Sequence, residues 1–153
     1  MKECTTGVEV LNRGSDYALR AMEVLAEGWE KGPVRAALIA MEAGVSESML
    51  RKLLQKMVRA GLVVSDRGAA GGFRLGRRPQ DITFLEVIEA VQGKFAVNKC
   101  FLGNRPCPER PRCTVRRKLV SVQGLVAGSL RGLNLAGLAE NKSGTRVSVP
   151  GEA

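Results

Sequence analysis

The chain has 153 residues, with 24 Lys and Arg against 15 Asp and Glu, a formal net charge of +9 and no histidine. That length suits one ordinary domain plus an appendage, and the lack of imidazole excludes Ser–His triads, His-ligated zinc and histidine general bases. The start has no signal-peptide pattern and no apolar run reaches the roughly 18 residues needed to span a bilayer, so a cytoplasmic protein without a membrane segment is expected.

The basic balance favours a polyanionic partner, nucleic acid first, over a merely soluble basic surface. Residues 1–12 carry no strong period and read as an N-terminal extension. A first helix is predicted from Ser15, its N-cap, with Ala18, Met22, Leu25 and Trp29 at helical spacing and Gly32-Pro33 closing the segment. A short helix over about Arg35 to Ala43 follows, then the turn Gly44-Val45-Ser46. Ser46 caps a third helix that buries Leu50, Leu53, Leu54 and Met57 and stops at Gly61.

Two helices joined by a glycine-containing turn are the sign of a helix-turn-helix, which helical hairpins share. Leu62-Val63-Val64, the glycine-rich turn 67–72 and Phe73-Arg74-Leu75 then read as a β-hairpin. The combination predicts a mainly α chain with a small hairpin: a winged helix-turn-helix domain over residues 13–80. Thr83-Phe84-Leu85-Glu86 has the form of a capping box, opening a connecting helix within residues 81–98 that buries Leu85, Ile88 and Val91 and ends at Gly93. Residues 99–114 form a cysteine loop. A last helix over residues 115–140 places Val115, Leu119, Val122 and Val126 like a coiled-coil seam. Gly124, Gly128 and Gly132 lie on a neighbouring stripe; each costs a helix about 1 kcal/mol relative to Ala, so they predict either close approach of another helix or a weak helix. The tail 141–153 is expected to be disordered.

With its apolar stripe buried, the third helix exposes Glu47, Ser48, Arg51, Lys52, Gln55, Lys56 and Arg59. In a major groove its N-terminal half would bring Ser48, Arg51 and Lys52 to base edges or flanking phosphates, with Gln55 one turn on. Arg67, beside Gly68 at the wing tip, is the expected minor-groove or phosphate contact, and Arg74, Arg77 and Arg78 extend the positive surface. An ordinary solvated helix face is the alternative. Glu47 would repel phosphate and is assigned to the helix N-terminus.

Cys100, Cys107 and Cys113 follow a C-x6-C-x5-C spacing in a proline-rich loop. Zinc sites usually pair cysteines two to four residues apart, whereas wider spacing suits an iron–sulfur cluster. Arg105, Arg110, Arg112, Arg116 and Arg117 supply charge to offset an anionic cluster. Zinc and free redox thiols remain open on spacing alone.

The segment Ser15-Asp16-Tyr17-Ala18-Leu19-Arg20-Ala21, the turn at Val45-Ser46, the hairpin 67–75, the helix Leu85–Val91 and the three-cysteine loop occur in that order over about Val10 to Ala139. Together they resemble the Rrf-two-type winged-helix transcription factors. The resemblance implies a bacterial homodimer whose long C-terminal helix crosses the partner, with an iron–sulfur cluster near the dimer interface controlling binding to a double-stranded DNA operator. In the IscR-type branch a histidine three residues after the third cysteine is the fourth ligand. Arg116 stands there in this chain, so a Cys3His two-iron cluster is excluded. In the NsrR-type branch an aspartate of the partner's first helix completes a four-iron cluster, and Asp16 matches it. The resemblance therefore favours a 4Fe–4S cluster on Cys100, Cys107, Cys113 and Asp16 of the partner subunit, with 2Fe–2S as the alternative. Asp16 reads equally well as a charge on the helix dipole. Cys4 is read as an extension residue rather than a ligand. Some relatives carry an acidic residue where this chain has Arg51, so their operator preference does not transfer.

The expected function is a dimeric repressor sensing redox, nitric oxide or iron–sulfur status. The alternatives are a cluster-free thiol- or ligand-responsive regulator of the same fold, or an iron–sulfur electron carrier. No nucleophile–base pair suggests an enzyme.

Overall fold

The computed structural model describes residues 10–102 and 107–140. Helix α1 spans Arg13–Glu27, and Asn12 caps it by accepting from the Ser15 N–H at 2.9 Å. Ser15 is thus not the cap expected from sequence. It lies one turn into α1, fully buried, and its hydroxyl donates to Gln92 Oε1 at 2.7 Å. Ala18, Ala21, Met22 and Leu25 form the buried face; Trp29 lies beyond the helix end, packed against the core.

Helix α2, Ala36–Ala43, ends at Gly44 in the left-handed region (φ +67°), which turns the chain into α3, Glu47–Arg59. Ser46 caps α3 as expected, accepting from the Met49 N–H at 3.3 Å. Leu50, Leu53, Leu54 and Met57 are buried, which orients the charged face outward. Strands β1, Val63–Asp66, and β2, Gly72–Leu75, pair antiparallel with Val63 opposite Leu75 and Val64 opposite Arg74. The hairpin has a further rung, on the other edge of β2, that the sequence did not reveal: Val34 and Phe73 exchange two backbone hydrogen bonds of 2.8 Å each. This tie fixes the half of β2 nearer the wing tip to the segment before α2.

Helix α4, Phe84–Gln92, carries the full capping box. The Thr83 N–H donates to Glu86 Oε2 at 2.9 Å, and the Glu86 N–H donates to Thr83 Oγ1 at 3.3 Å. Val87 and Val91 join the main core around α1, whereas Leu85 and Ile88 pack with Phe95 and Ala127 in a second cluster. α4 therefore lies between the winged-helix core and α5, Thr114–Gly132. α5 runs unbroken through Gly124 and Gly128, but it stops at Gly132 instead of continuing to residue 140. The chain turns because Leu133 is extended, its carbonyl accepts from the Phe84 N–H at 3.0 Å, and Leu135 is fully buried. A separate short helix α6, Ala136–Glu140, then packs on α1.

The expected coiled-coil seam is also divided. Leu119 and Val126 are half-buried, Val126 against the second cluster, while Val115 and Val122 are exposed. Among the described residues no helix is long and apolar enough to cross a membrane.

Candidate nucleic-acid interface

Ser48, Arg51, Lys52 and Gln55 all lie on the exposed side of α3. Arg51 is not a free cation: its Nε donates to Glu47 Oε1 at 3.0 Å, and its Nη2 contacts the same oxygen. Glu47 therefore does more than complement the helix N-terminus. Lys52 has no ion-pair partner among the described residues. Lys56 leaves this face, because its ammonium donates to the Val91 carbonyl at 2.8 Å and so terminates α4.

At the wing, Gly68 adopts φ +103°, and the Gly71 N–H donates to its carbonyl at 3.0 Å. Arg67 is exposed beside it, with no carboxylate partner among the described residues. The arginines beyond the tip are different. Arg74 pairs with Asp66 at 2.7 Å, Arg77 with Glu86 at 2.7 Å and Arg78 with Asp81 at 2.8 Å. The expected extended positive surface is thus largely compensated within the chain, whereas Arg35, Lys52, Arg59 and Arg67 have no carboxylate partner among the described residues. Burial acts to raise the Glu86 carboxyl pKa, but bonds from the Thr83 backbone and hydroxyl and from Arg77 outweigh it and hold the group below its ordinary range.

A cleft of about 410 Å³ opens between α3 and the wing, lined in part by Arg35, Glu47, Arg51, Ser65, Asp66 and Phe73. Arg35, at the N-terminus of α2, had no sequence signal beyond its charge. Only the Val34–Phe73 rung brings it beside the wing.

Around the cysteines, Cys100 is half-buried in a 3-10 turn, Lys99–Phe101; Cys107 is exposed; Cys113 is half-buried and caps α5, its Sγ accepting from the Arg116 N–H at 3.3 Å. Arg116 also reaches the Cys100 carbonyl at 3.5 Å and lies over the Phe101 ring, 4.8 Å from its centroid. It braces Cys100 to Cys113. Asp16 is exposed on α1 and paired with Arg20 at 3.2 Å. Three free cysteines, one of them capping α5 and two of them contacted by Arg116 through its side chain or backbone, are a donor set suited to a sulfur-ligated cluster. Within one chain, however, no three of Cys, Asp or Glu converge among the described residues. Cys4, Arg105 and the tail 141–153 lie outside the described residues.

The sequence over residues 11–141 matches the family model Rrf2, described as an iron-dependent transcriptional regulator. The HTH-type transcriptional regulator IscR of Aliivibrio salmonicida is 35% identical over 132 residues, covering 86% of this chain and 78% of that protein. Among solved structures, CymR, the global cysteine regulator of B. subtilis, aligns with TM-score 0.73 and 27% identity, covering 88% of this chain and 98% of that one. T. potens IscR aligns with TM-score 0.73 and 26% identity, covering 92% and 94%. These relatives are regulators of transcription, not enzymes. With the helix-turn-helix, the tethered wing and this match, the chain belongs to the Rrf2 family of DNA-binding transcriptional regulators.

Proposed function

We propose that the chain is a homodimeric repressor that sets α3 into the major groove of an operator and Arg67 of the wing alongside it. One observation carries this reading: among the described residues Lys52 and Arg59 on α3 and Arg67 on the wing, the two elements a winged helix presents to DNA, have no carboxylate partner, while Arg74, Arg77 and Arg78 are paired within the chain. Half-sites would then be about one helical turn apart or a little more. Ser48, Arg51 and Gln55 face bases, and Gly68 lets the wing backbone approach.

The second subunit covers the outer side of α5. Val115, Val122 and Leu125 are 67%, 44% and 72% exposed at spacings of seven and three, which put them on one side of the helix. Beside them, Gly124, Gly128 and Gly132 have open space around them, room for a close helix. Leu125→Glu should therefore shift sedimentation equilibrium from dimer to monomer.

Cys100, Cys107 and Cys113 would hold an iron–sulfur cluster, 4Fe–4S if Asp16 of the partner subunit completes the set. Such a cluster supplies a centre responsive to redox state, nitric oxide or iron–sulfur supply. Arg116 keeps Cys113 at the first turn of α5 and Cys100 beside it, so any change in how these sulfurs are held bears on α5 and its dimer contacts. Regulation requires the two states to differ in their DNA-competent population. Purification without oxygen, with iron and sulfide measured per chain, tests this: about four of each supports the four-iron set, and about two leaves a cluster but removes that ligand set. Cys107→Ala should abolish cluster absorbance and keep the winged helix folded.

A cluster-free, thiol-responsive regulator is the second reading. Its support is that the three thiols do not converge within the chain, together with the fold's likeness to a cysteine regulator. Absence of iron after attempted reconstitution, with duplex binding that changes on thiol oxidation, would select it.

A further inference from the structure

We infer that Glu47 is a specificity-determining residue of the DNA-reading face: it holds Arg51 as a fixed guanine reader and keeps it off the phosphates. The inference rests on the DNA-binding reading above. Glu47 and Arg51 are one turn apart at the start of α3, and Arg51 gives both Nε–H and Nη2 to the single oxygen Oε1. A guanidinium has five N–H donors in a planar fork. With the Nε edge taken by Glu47, the end formed by Nη1 and the second Nη2 hydrogen remains, and this end matches guanine O6 and N7.

The pair's surroundings point the same way. It lines the cleft between α3 and the wing, where Arg35 stands and where Asp66 is already engaged by Arg74. Glu47 is therefore the carboxylate in this cleft that holds Arg51. Without it, the long Arg51 side chain would swing to the nearest phosphate, a contact available on every sequence. With it, a negative charge stands in the groove, which lowers affinity for all duplexes and is compensated only where Arg51 meets guanine. Discrimination thus arises from a repulsive element as well as an attractive one. The side chains are 58% and 43% exposed, so the pair contributes little to folding and its loss leaves the chain folded.

The test uses the full-length chain and a pool of duplex DNA with a randomised central segment. Sequences enriched by wild type are compared with those enriched by Glu47→Gln and Arg51→Ala, alongside affinities for an unselected duplex and melting temperatures. The expected result is a guanine in the wild-type half-site whose preference falls about tenfold in both variants. Glu47→Gln should also bind the unselected duplex more tightly, by about two- to fivefold, and Arg51→Ala should not. An unchanged guanine preference in Glu47→Gln, or equal loss on selected and unselected duplexes, overturns the inference. So does wild-type binding without enrichment, which leaves the DNA-binding reading standing. If wild type binds no duplex, that reading fails and this inference falls with it.

Discussion

The Lys56 ammonium on α3 donates to the Val91 carbonyl in the last turn of α4 at 2.8 Å. Carbonyls at a helix C-terminus have no intrahelical donor, so this bond supplies one and links the candidate DNA-reading helix to α4. From there the chain passes through Phe95, whose N–H donates to Glu89 at 3.0 Å, to Gln123 of α5, which donates to the Phe95 carbonyl at 3.1 Å and accepts from the Val97 N–H at 2.8 Å. Lys56→Met should lower stability by about 1 kcal/mol in urea denaturation. Its duplex affinity should keep the wild-type salt slope, whereas Lys52→Ala should reduce that slope by about one. A reduced slope in Lys56→Met would place Lys56 on DNA instead.

Gly68 and Gly72 serve the wing for different reasons. A Cβ on Gly72 would stand 2.5 Å from the Val34 carbonyl oxygen, so Gly72→Ala must push Val34 away and distort the Val34–Phe73 rung. Gly68 has open space but φ +103°, so Gly68→Ala meets only backbone strain. Thermal denaturation should show Gly72→Ala losing about 1–3 kcal/mol, and Gly68→Ala about 1 kcal/mol. Equal losses would mean the rung contributes nothing.

Arg67 and Arg74 should separate in binding. Arg67→Ala is expected to weaken binding to a selected operator by about 1–3 kcal/mol. Arg74→Ala should cost less, since its guanidinium is already shared with Asp66. Wild-type affinity in Arg67→Ala would remove the role assigned to the wing tip.

Glu86 sets an acid dependence. Its carboxyl is held below the ordinary value by Thr83 and Arg77 despite burial, so its contribution is fully present above the unfolded pKa of about 4.3 and is lost as pH falls through the lower folded value. Wild type should therefore exceed Glu86→Gln in urea midpoint at neutral pH, and the two should converge in strong acid. A gap that persists into strong acid would show that the charged form is not what stabilises.

Local chemistry made much of this molecule legible from its residues. Ser46 and the Thr83–Glu86 box cap helices because their side chains reach backbone N–H groups three residues away, and the apolar spacing of Leu50, Leu53, Leu54 and Met57 orients α3 whatever surrounds it. The exposed polar face of α3 follows from that spacing, and the three cysteines from their identity and order in the chain. What needed the tertiary structure were relationships across long sequence separations. Ser15 became a core residue because Gln92 lies across from it, and Val34 became a sheet residue because Phe73 does. Periodicity extended the last helix past Gly132, whereas the buried Leu135 and the backbone bond from Phe84 turn the chain there. Sequence counts every arginine as one positive charge; only the fold decides that Arg74, Arg77 and Arg78 meet carboxylates while Arg67 stands exposed without one among the described residues, because ion pairing depends on distance in space rather than on position in the chain.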